Sequence, residues 1–427
     1  MTATTKIAIV GGGIGGLSLA LALHQRGLVC DVYETVPEVK ELGVGITLLP
    51  HAMRELAGLG LQAQIEAVGI ENQESVFFNR FGQFIYQEPR GRHAGYPLPE
   101  IGIPRGKLHR LLYGAAVARL GAAAIHTNHR CVRVDQDDAG ATLHFTETRA
   151  SHGSGGTVAV LPPVRADVVV ACDGVNSTLR RQFYPDEKLA FAGINTWRGV
   201  TRHQPILTGK SYLRVGAIDT GKMVIYPIAD NIDGHGMQLI NWVAEIQRDN
   251  GPMNDWNQKG QLTDFLDIFQ DWRFPWLDVP ALIADAEQIL EYPMVDKDPV
   301  AQWTFGRVTL LGDAAHPMYP RGSNGSAQAI IDGRTLAEQL AAHGPDVRAA
   351  LQAYEQLRLE PTAHIVQTNR SVPPDFINIK VDELSGGKPF HHIDEIISQA
   401  ELRAISDHYK QVAGFSLEAV KAVSTRA

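Results

Sequence analysis

The chain opens on a short apolar run, Ile7-Ala-Ile-Val10, that ends in glycines. Leu17 to Gln25 follows with apolar positions at helical spacing, and Cys30-Asp-Val-Tyr-Glu34 is a second short apolar run. Length and period predict strand, helix, strand. Met53 to Gln64 and Lys107 to Leu120 have amphipathic helical patterns, whereas Cys131 to Val134 and Ala141 to Thr146 read as strands. Ser151-His-Gly-Ser-Gly-Gly156 gathers turn formers between two alternating runs and predicts a long hairpin loop. From Phe191 to about Ile240 the pattern becomes several short strands rich in Trp, Tyr, Val and Ile, followed by a Trp- and Pro-rich section from Trp256 to Trp276. Val308-Thr-Leu-Leu311 then restores the opening pattern, with a glycine-rich turn, helical material from Ser326 to about Arg370, and further helical segments after Pro373 and Pro374. This late return implies an α/β unit interrupted by a β-rich one.

Composition narrows the classes. With 427 residues, 44% hydrophobic and 20% charged, the chain can build more than one core, and disorder is not expected. A formal net charge of -8 gives no electrostatic reason to bind nucleic acid or an anionic membrane. Apolar stretches are interrupted well before the ~20 residues of a membrane span. Cys30, Cys131 and Cys172 lie in or beside apolar runs without C-x-x-C spacing, which predicts neither disulfides nor zinc and fits a reducing cytoplasm. His391 and His392, close to Asp394 and Glu395, could suggest a metal, but adjacent histidines on a helix diverge. Exposed polar residues are the expectation there.

The turn Gly11-Gly-Gly13-Ile14-Gly-Gly16 has the spacing G-x-G-x-x-G directly after a strand and at the opening of a helix. The first glycine permits the sharp turn, the second lets backbone approach a pyrophosphate, and the third lets helix and strand pack closely. N–H groups at the helix start then face the phosphates. Glu34, ending the next strand, is placed to accept hydrogen bonds from an adenosine ribose. The turn alone does not separate FAD from NAD(P).

Two further motifs do. Asp173-Gly174, followed by Ser177 and Arg180, and Gly312-Asp313-Ala-Ala-His316-Pro317 resemble the D-G and G-D signatures of the class A, single-component flavoprotein monooxygenases, the FAD-dependent aromatic hydroxylases. The resemblance spans nearly the whole chain except the last fifty or so residues. Gly43-Val-Gly-Ile46, Thr196-Trp-Arg-Gly-Val200, Asn241-Trp-Val243 and Tyr292-Pro-Met-Val-Asp296 are similar to the phenazine-modifying branch of that family. It implies a cofactor set of Gly11, Gly13, Ile14, Gly16, Glu34, Gly45, Arg105, Cys131, Asp173, Arg180, Asp313, Pro320, Ser323, Asn324 and Gly325. Asp313, at a turn after a buried strand, would accept hydrogen bonds from the ribityl hydroxyls. The helix from near Ser326 would aim its positive end at the flavin, or Ser323 or Asn324 would simply cap it. Ser323-Asn324-Gly325 departs from the Gly-Gln-Gly of most relatives. Asp173 and Arg180 serve the cofactor or a transient nicotinamide nucleotide, or else form a structural ion pair with each other.

The implied fold is α/β: a Rossmann-like FAD-binding domain (1–75, 102–190 and 285–372) interleaved with a β-sheet substrate domain (76–101 and 191–284), plus a C-terminal helical segment (373–427). The implied reaction uses FAD held non-covalently, NADH or NADPH as a transient co-substrate, and O2, with oxygen passing from a C4a-hydroperoxyflavin to an electron-rich ring. A single dinucleotide fingerprint agrees with a nicotinamide that visits and leaves. The cofactor carries the chemistry, so no metal and no catalytic side chain are required; His316 is a weak candidate for proton relay and better read as a structural hydrogen-bond partner. Thr47, Leu49, Trp197, Met223, Tyr226, Trp242, Tyr292, Met294, Pro317 and Tyr319 are the candidate lining for a planar aromatic substrate. Arg321, positive where the phenazine enzyme is apolar, is placed for an anionic substrate or for solvent. The alternatives are another flavin reaction (dehydrogenation, epoxidation or halogenation) or a non-catalytic binding protein on the same fold. The partner is a small molecule, and the protein is a monomer or a homodimer.

Overall fold

The computed structural model describes residues 5–37, 44–148, 158–248 and 258–424. Among them, a six-stranded sheet runs in the order Thr304–Phe305, Val308–Leu310, Val168–Ala171, Ile7–Val10, Cys30–Tyr33, Ile125–His126. All neighbours are parallel except the edge pair of Thr304–Phe305 and Val308–Leu310. Every residue of Ile7–Val10 and Val168–Ala171 is buried. Both therefore read as unbroken apolar runs, because a parallel sheet is covered on both faces. The helix Ile14–Gln25 packs against Gly325–His343, so the late elements rejoin the unit begun by the first.

An antiparallel sheet of Arg130–Gln136, Ala141–Thr146 and Val160–Ala166 adjoins this unit. The loop expected at Ser151–Gly156 lies outside the described residues, as do Gly43 and Trp256. The single helix expected over Met53 to Gln64 is two, Pro50–Gly58 and Gln62–Glu66, separated at Gly60, whose φ is +72°.

The interrupting unit is an eight-stranded sheet in the order Gln258–Lys259, Ile289–Asp296, Ala190–His203, Gln238–Gln247, Gly221–Ala229, Ser211–Ala217, Glu74–Phe78, Phe84–Pro89. It is antiparallel apart from the pairing of Ser211–Ala217 with Glu74–Phe78. Several short strands were expected here, yet Ala190–His203 runs for 14 residues and Gln238–Gln247 for 10. Gly199 does not end its strand: it sits opposite Trp242, and a Cβ there would stand 2.3 Å from the indole. The missing side chain makes room for the ring.

Alternation along these strands produces two unlike faces. Trp197, Met223, Ile225, Trp242 and Ala244 are buried with Phe265, Phe269 and the helix Val279–Ala284. Arg198, Val200, Tyr212, Val224, Tyr226 and Val243 occupy the other face. That second face meets the α/β unit: the Gly45 N–H donates to Asn241 Oδ1 at 2.6 Å, and Tyr226 lies beside Thr47. After Pro374, Phe376–Ser385, Gln399–Val412 and Leu417–Ser424 are helical. Ile377, Val381 and Leu402 cover Phe77, Ile85 and Tyr86 on the last two strands of the large sheet. No helix among the described residues is long and apolar enough to cross a membrane.

Candidate active site

The glycine turn has the shape that its spacing implies. Gly11 has φ +107°, and a Cβ on it would lie 2.4 Å from the Cys172 carbonyl oxygen; a Cβ on Gly16 would lie 2.0 Å from the carbonyl oxygen of Gly11. Only glycine fits at either position. Gly13 faces open space with nothing within 4 Å of a Cβ, and it precedes Ile14–Gln25 without side-chain capping. Uncapped N–H groups at a helix start, reached across a bare turn, form a site for a pyrophosphate. Glu34 closes the turn by accepting the Gly12 N–H at 2.6 Å and the Val36 N–H at 2.8 Å.

Asp313 lies in the single turn Gly312–Ala314 with its side chain exposed. Its Oδ1 stands 3.8 Å from where a Gly325 Cβ would be, at the start of Gly325–His343. Neither Ser323 nor Asn324 caps that helix: no side-chain cap is formed. Ser323 takes the left-handed region at φ +53° and places its hydroxyl 3.4 Å from Tyr212 Oη. Asn324 Oδ1 instead contacts His51 Nε2 at 2.9 Å and accepts from Gln328 at 3.1 Å. The positive end of the helix is thus left without a side-chain acceptor, beside an exposed carboxylate. Pro320 is exposed in the same loop, and Arg105 begins Arg105–Leu120 with its side chain exposed.

Three cofactor expectations change. Arg180 is 0% exposed and fully engaged: it pairs with Glu187 and donates to the carbonyls of Ala314 at 3.0 Å and Ala315 at 2.6 Å. It braces the Asp313 turn from behind rather than facing the crevice. Nor does it pair with Asp173, whose Oδ2 accepts the Thr178 N–H at 2.8 Å; the Oδ1 of Asp173 is buried without a partner, and burial raises its carboxyl against the hydrogen bonds from Ser177 and Thr178. Cys131 turns its thiol into the core, where burial first and the Asp173 charge second push it up to about 12. Only its main chain remains for a cofactor. His316 is structural, with Nε2 2.6 Å from Asp332 Oδ2, which also accepts the Gly312 N–H at 3.1 Å. Burial pushes Asp332 up, but His316 and Arg358 overcome this and hold it at about 2.

The substrate candidates divide by face. Thr47, Tyr226, Tyr292 and Met294 belong to the side of the large sheet that meets the α/β unit, where Met294 packs with Tyr319 and Ile194; Pro317 is buried in the Asp313 loop. Trp197, Met223 and Trp242 do not. They point the opposite way, into the core around Phe265 and Phe269, because each is one residue out of phase with the crevice face. Leu49 packs on Tyr96, Tyr409 and Phe415. Arg321 is neither solvent-exposed nor free for an anion: it donates to Asp375 Oδ2 at 2.7 Å, and Lys222 reaches the same oxygen at 2.9 Å. Two residues of the crevice face were not singled out from sequence. Arg198 lies between Trp197 and Gly199 and stands 5.6 Å from the Tyr292 ring centre. Tyr212 stacks on Tyr226 at 4.9 Å. The signal for Arg198 was present, a cation inside an otherwise apolar alternating strand. His391 and His392 are exposed, and His392 sits 3.3 Å from Asp394.

A bare pyrophosphate turn, a braced aspartate turn and an antiparallel sheet laid across them define a flavin-dependent oxygenase. The family described as an FAD binding domain matches residues 4–254 and 277–369, and the chain belongs to the class A FAD-binding monooxygenases. It is an FAD-dependent aromatic hydroxylase using NAD(P)H and O2. The chain is 42% identical over 375 residues, 86% of its own length and 90% of the relative, to phenazine 1,6-dicarboxylic acid hydroxylase from Lysobacter antibioticus. Identity is 31% over 376 residues, 87% of each chain, with 3-amino-4-hydroxybenzoate 2-monooxygenase from Streptomyces cremeus. In fold it is similar to HpxO of Klebsiella pneumoniae complexed with FAD and uric acid, with a TM-score of 0.75 at 23% identity over 98% of this chain and 97% of that one.

Proposed function

We propose that this enzyme hydroxylates a planar, electron-rich aromatic or heteroaromatic ring, of the phenazine or hydroxybenzoate type, held between the Asp313 loop and the crevice face of the large sheet. The observation that carries this is the concentration of flat and apolar groups on one side of that sheet, Tyr226, Tyr292 and Met294, with Tyr319 of the loop packed on Met294. FAD, when bound, supplies the activation of oxygen. Gly11, Gly13, Gly16, Glu34, Arg105 and Asp313 would hold it. The aromatic groups orient the ring and keep water out, which positions the reacting carbon and protects the oxidant. Residues 1–75, 102–190 and 285–372 form the cofactor part, 76–101 and 191–284 the substrate part, and 373–427 a helical addition. The protein works in the cytoplasm as a monomer or a homodimer, without nucleic acid.

The test is oxidation of NAD(P)H by the purified holoenzyme with phenazines, hydroxybenzoates and phenols, with product analysed after reaction under isotopically labelled O2. Faster oxidation with one labelled oxygen per product is expected. Equal rates with and without every compound, and no labelled product, overturn the proposal.

A further inference from the structure

Arg198 is a cation in a place where cations are costly. It projects from Ala190–His203 on the crevice face, and its Nε is fully enclosed without a hydrogen-bond partner. Among the described residues the neighbouring buried or half-buried cations all have partners: Lys222 has Glu245 and Asp375, Arg321 has Asp375, and Arg214 has Ser75. Arg198 has none. Its guanidinium lies over the Tyr292 ring at 5.6 Å, and the hydroxyl of Tyr226 also acts on it. Glu245, the carboxylate that acts on it, is already 2.9 Å from Lys222. Burial holds its guanidinium below the usual range, and the charge of Arg105 adds to that. The side chain is still half-buried rather than sealed, so a ligand in the crevice can reach it.

A half-buried guanidinium with an enclosed, unpartnered Nε and no counter-ion destabilises the fold unless something compensates it. The group that fits it best is planar and anionic with two acceptor oxygens, because the arginine fork bonds a carboxylate in bidentate fashion. Both curated relatives described above carry names of aromatic carboxylates as their substrates. We infer that Arg198 receives the carboxylate of an aromatic acid substrate, with the ring carried over the Tyr226 and Tyr292 surface toward the Asp313 loop. Arg198 is then the residue that makes the enzyme selective for acids over neutral rings. The inference rests on the aromatic hydroxylase reading and narrows it to a substrate class.

The experiment pairs acids with neutral isosteres in the FAD-loaded enzyme. Phenazine-1-carboxylate, phenazine-1,6-dicarboxylate and 3-hydroxybenzoate are each compared with the corresponding carboxamide, reading the flavin absorbance change for Kd and NAD(P)H oxidation for turnover. Wild type should bind at least one acid about 10- to 100-fold more tightly than its amide, as expected for a charge-assisted pair. Arg198→Gln should remove that preference mainly through affinity for the acid, Arg198→Lys should restore part of it, and FAD content and the ligand-free flavin spectrum should stay unchanged. Equal binding of acid and amide by wild type, an acid preference that survives in Arg198→Gln, or loss of FAD from that variant each overturn the inference. Turnover of neutral rings without a response to any acid overturns the inference and leaves the hydroxylase reading standing. Silence toward acids and neutral rings alike removes both.

Discussion

The two faces of the large sheet are made from alternate residues of the same strands, and they differ in nearly everything else. On one, Trp197, Met223 and Trp242 are all 0% exposed, with Trp197 stacked at 4.9 Å on Phe265, which covers this face. On the other, one residue away along the chain, stand Arg198, Tyr226, Lys222 and Glu245, a mixture of rings and charges at the junction with the α/β unit. A sheet can therefore separate stability from recognition at single-residue spacing, since the direction of a side chain and not its strand decides what it meets. Rich aromatic content in a strand says little about binding until its face is known.

The comparison can be broken most forcefully on the dry face. Trp242→Ala removes a ring that is fully buried and donates to Thr201 Oγ1 at 3.1 Å; a loss of about 3–5 kcal/mol is expected in denaturant unfolding, with substrate affinity of the folded fraction unchanged. A change in affinity without a loss of stability would reverse the assignment of the faces. An effect of similar size on the other side should come from charge. Asp375→Ala leaves Lys222 and Arg321 short of their shared partner, and breaking such a buried cluster should cost about 3–5 kcal/mol in the same measurement.

A smaller and pH-dependent effect distinguishes the cofactor side. Burial pushes the His51 imidazole down to about 4, against the hydrogen bond its Nε2 donates to Asn324 Oδ1, which favours its charged form. The unfolded chain takes up a proton near the ordinary value of 6.5. Stability from the neutral ring is therefore complete above that pH and is lost as pH falls toward 4, by roughly 3 kcal/mol in all. His51→Phe, which can retain the stacking on Phe415 seen at 5.2 Å, should flatten this part of the stability–pH curve, whereas Trp242→Ala should lower the whole curve without changing its slope. The smallest expected effect is that of Tyr226→Phe, which keeps the ring and removes one hydroxyl. Substrate affinity should weaken by about 0.5–1.5 kcal/mol if that hydroxyl meets substrate, with little change in unfolding; an effect on unfolding alone would place the hydroxyl in the packing instead.

Much of the α/β unit was legible because its determinants are local. Gly11 is marked by its positive φ of +107° and Gly16 by a contact with the Gly11 carbonyl inside one strand–turn–helix segment, and the run Ile7–Val10 is apolar throughout because its sheet is covered twice. The substrate side was legible in composition but not in direction. Trp197, Met223 and Trp242 were grouped with Tyr226 and Tyr292 because aromatic and apolar content alone carries no phase, and the relevant partners, Phe265 and Phe269, come from elsewhere in the chain. Arg180 and Arg321 were misplaced for a related reason: an arginine beside a cofactor motif looks available until its partners from elsewhere in the chain, the Ala314 and Ala315 carbonyls for Arg180 and Asp375 for Arg321, take it up.

By itself the amino-acid sequence determined the nucleotide turn, the aspartate turn, the order of elements and the class of chemistry, all properties of short segments whose backbone geometry depends on the residues within them. Tertiary structure decided which arginine is braced, which is paired and which is left facing the crevice, and which aromatic rings stabilise the sheet rather than line the site. Those outcomes depend on charge partners and packing surfaces brought together across long stretches of chain, where desolvation and pairing are settled only when the sheets meet.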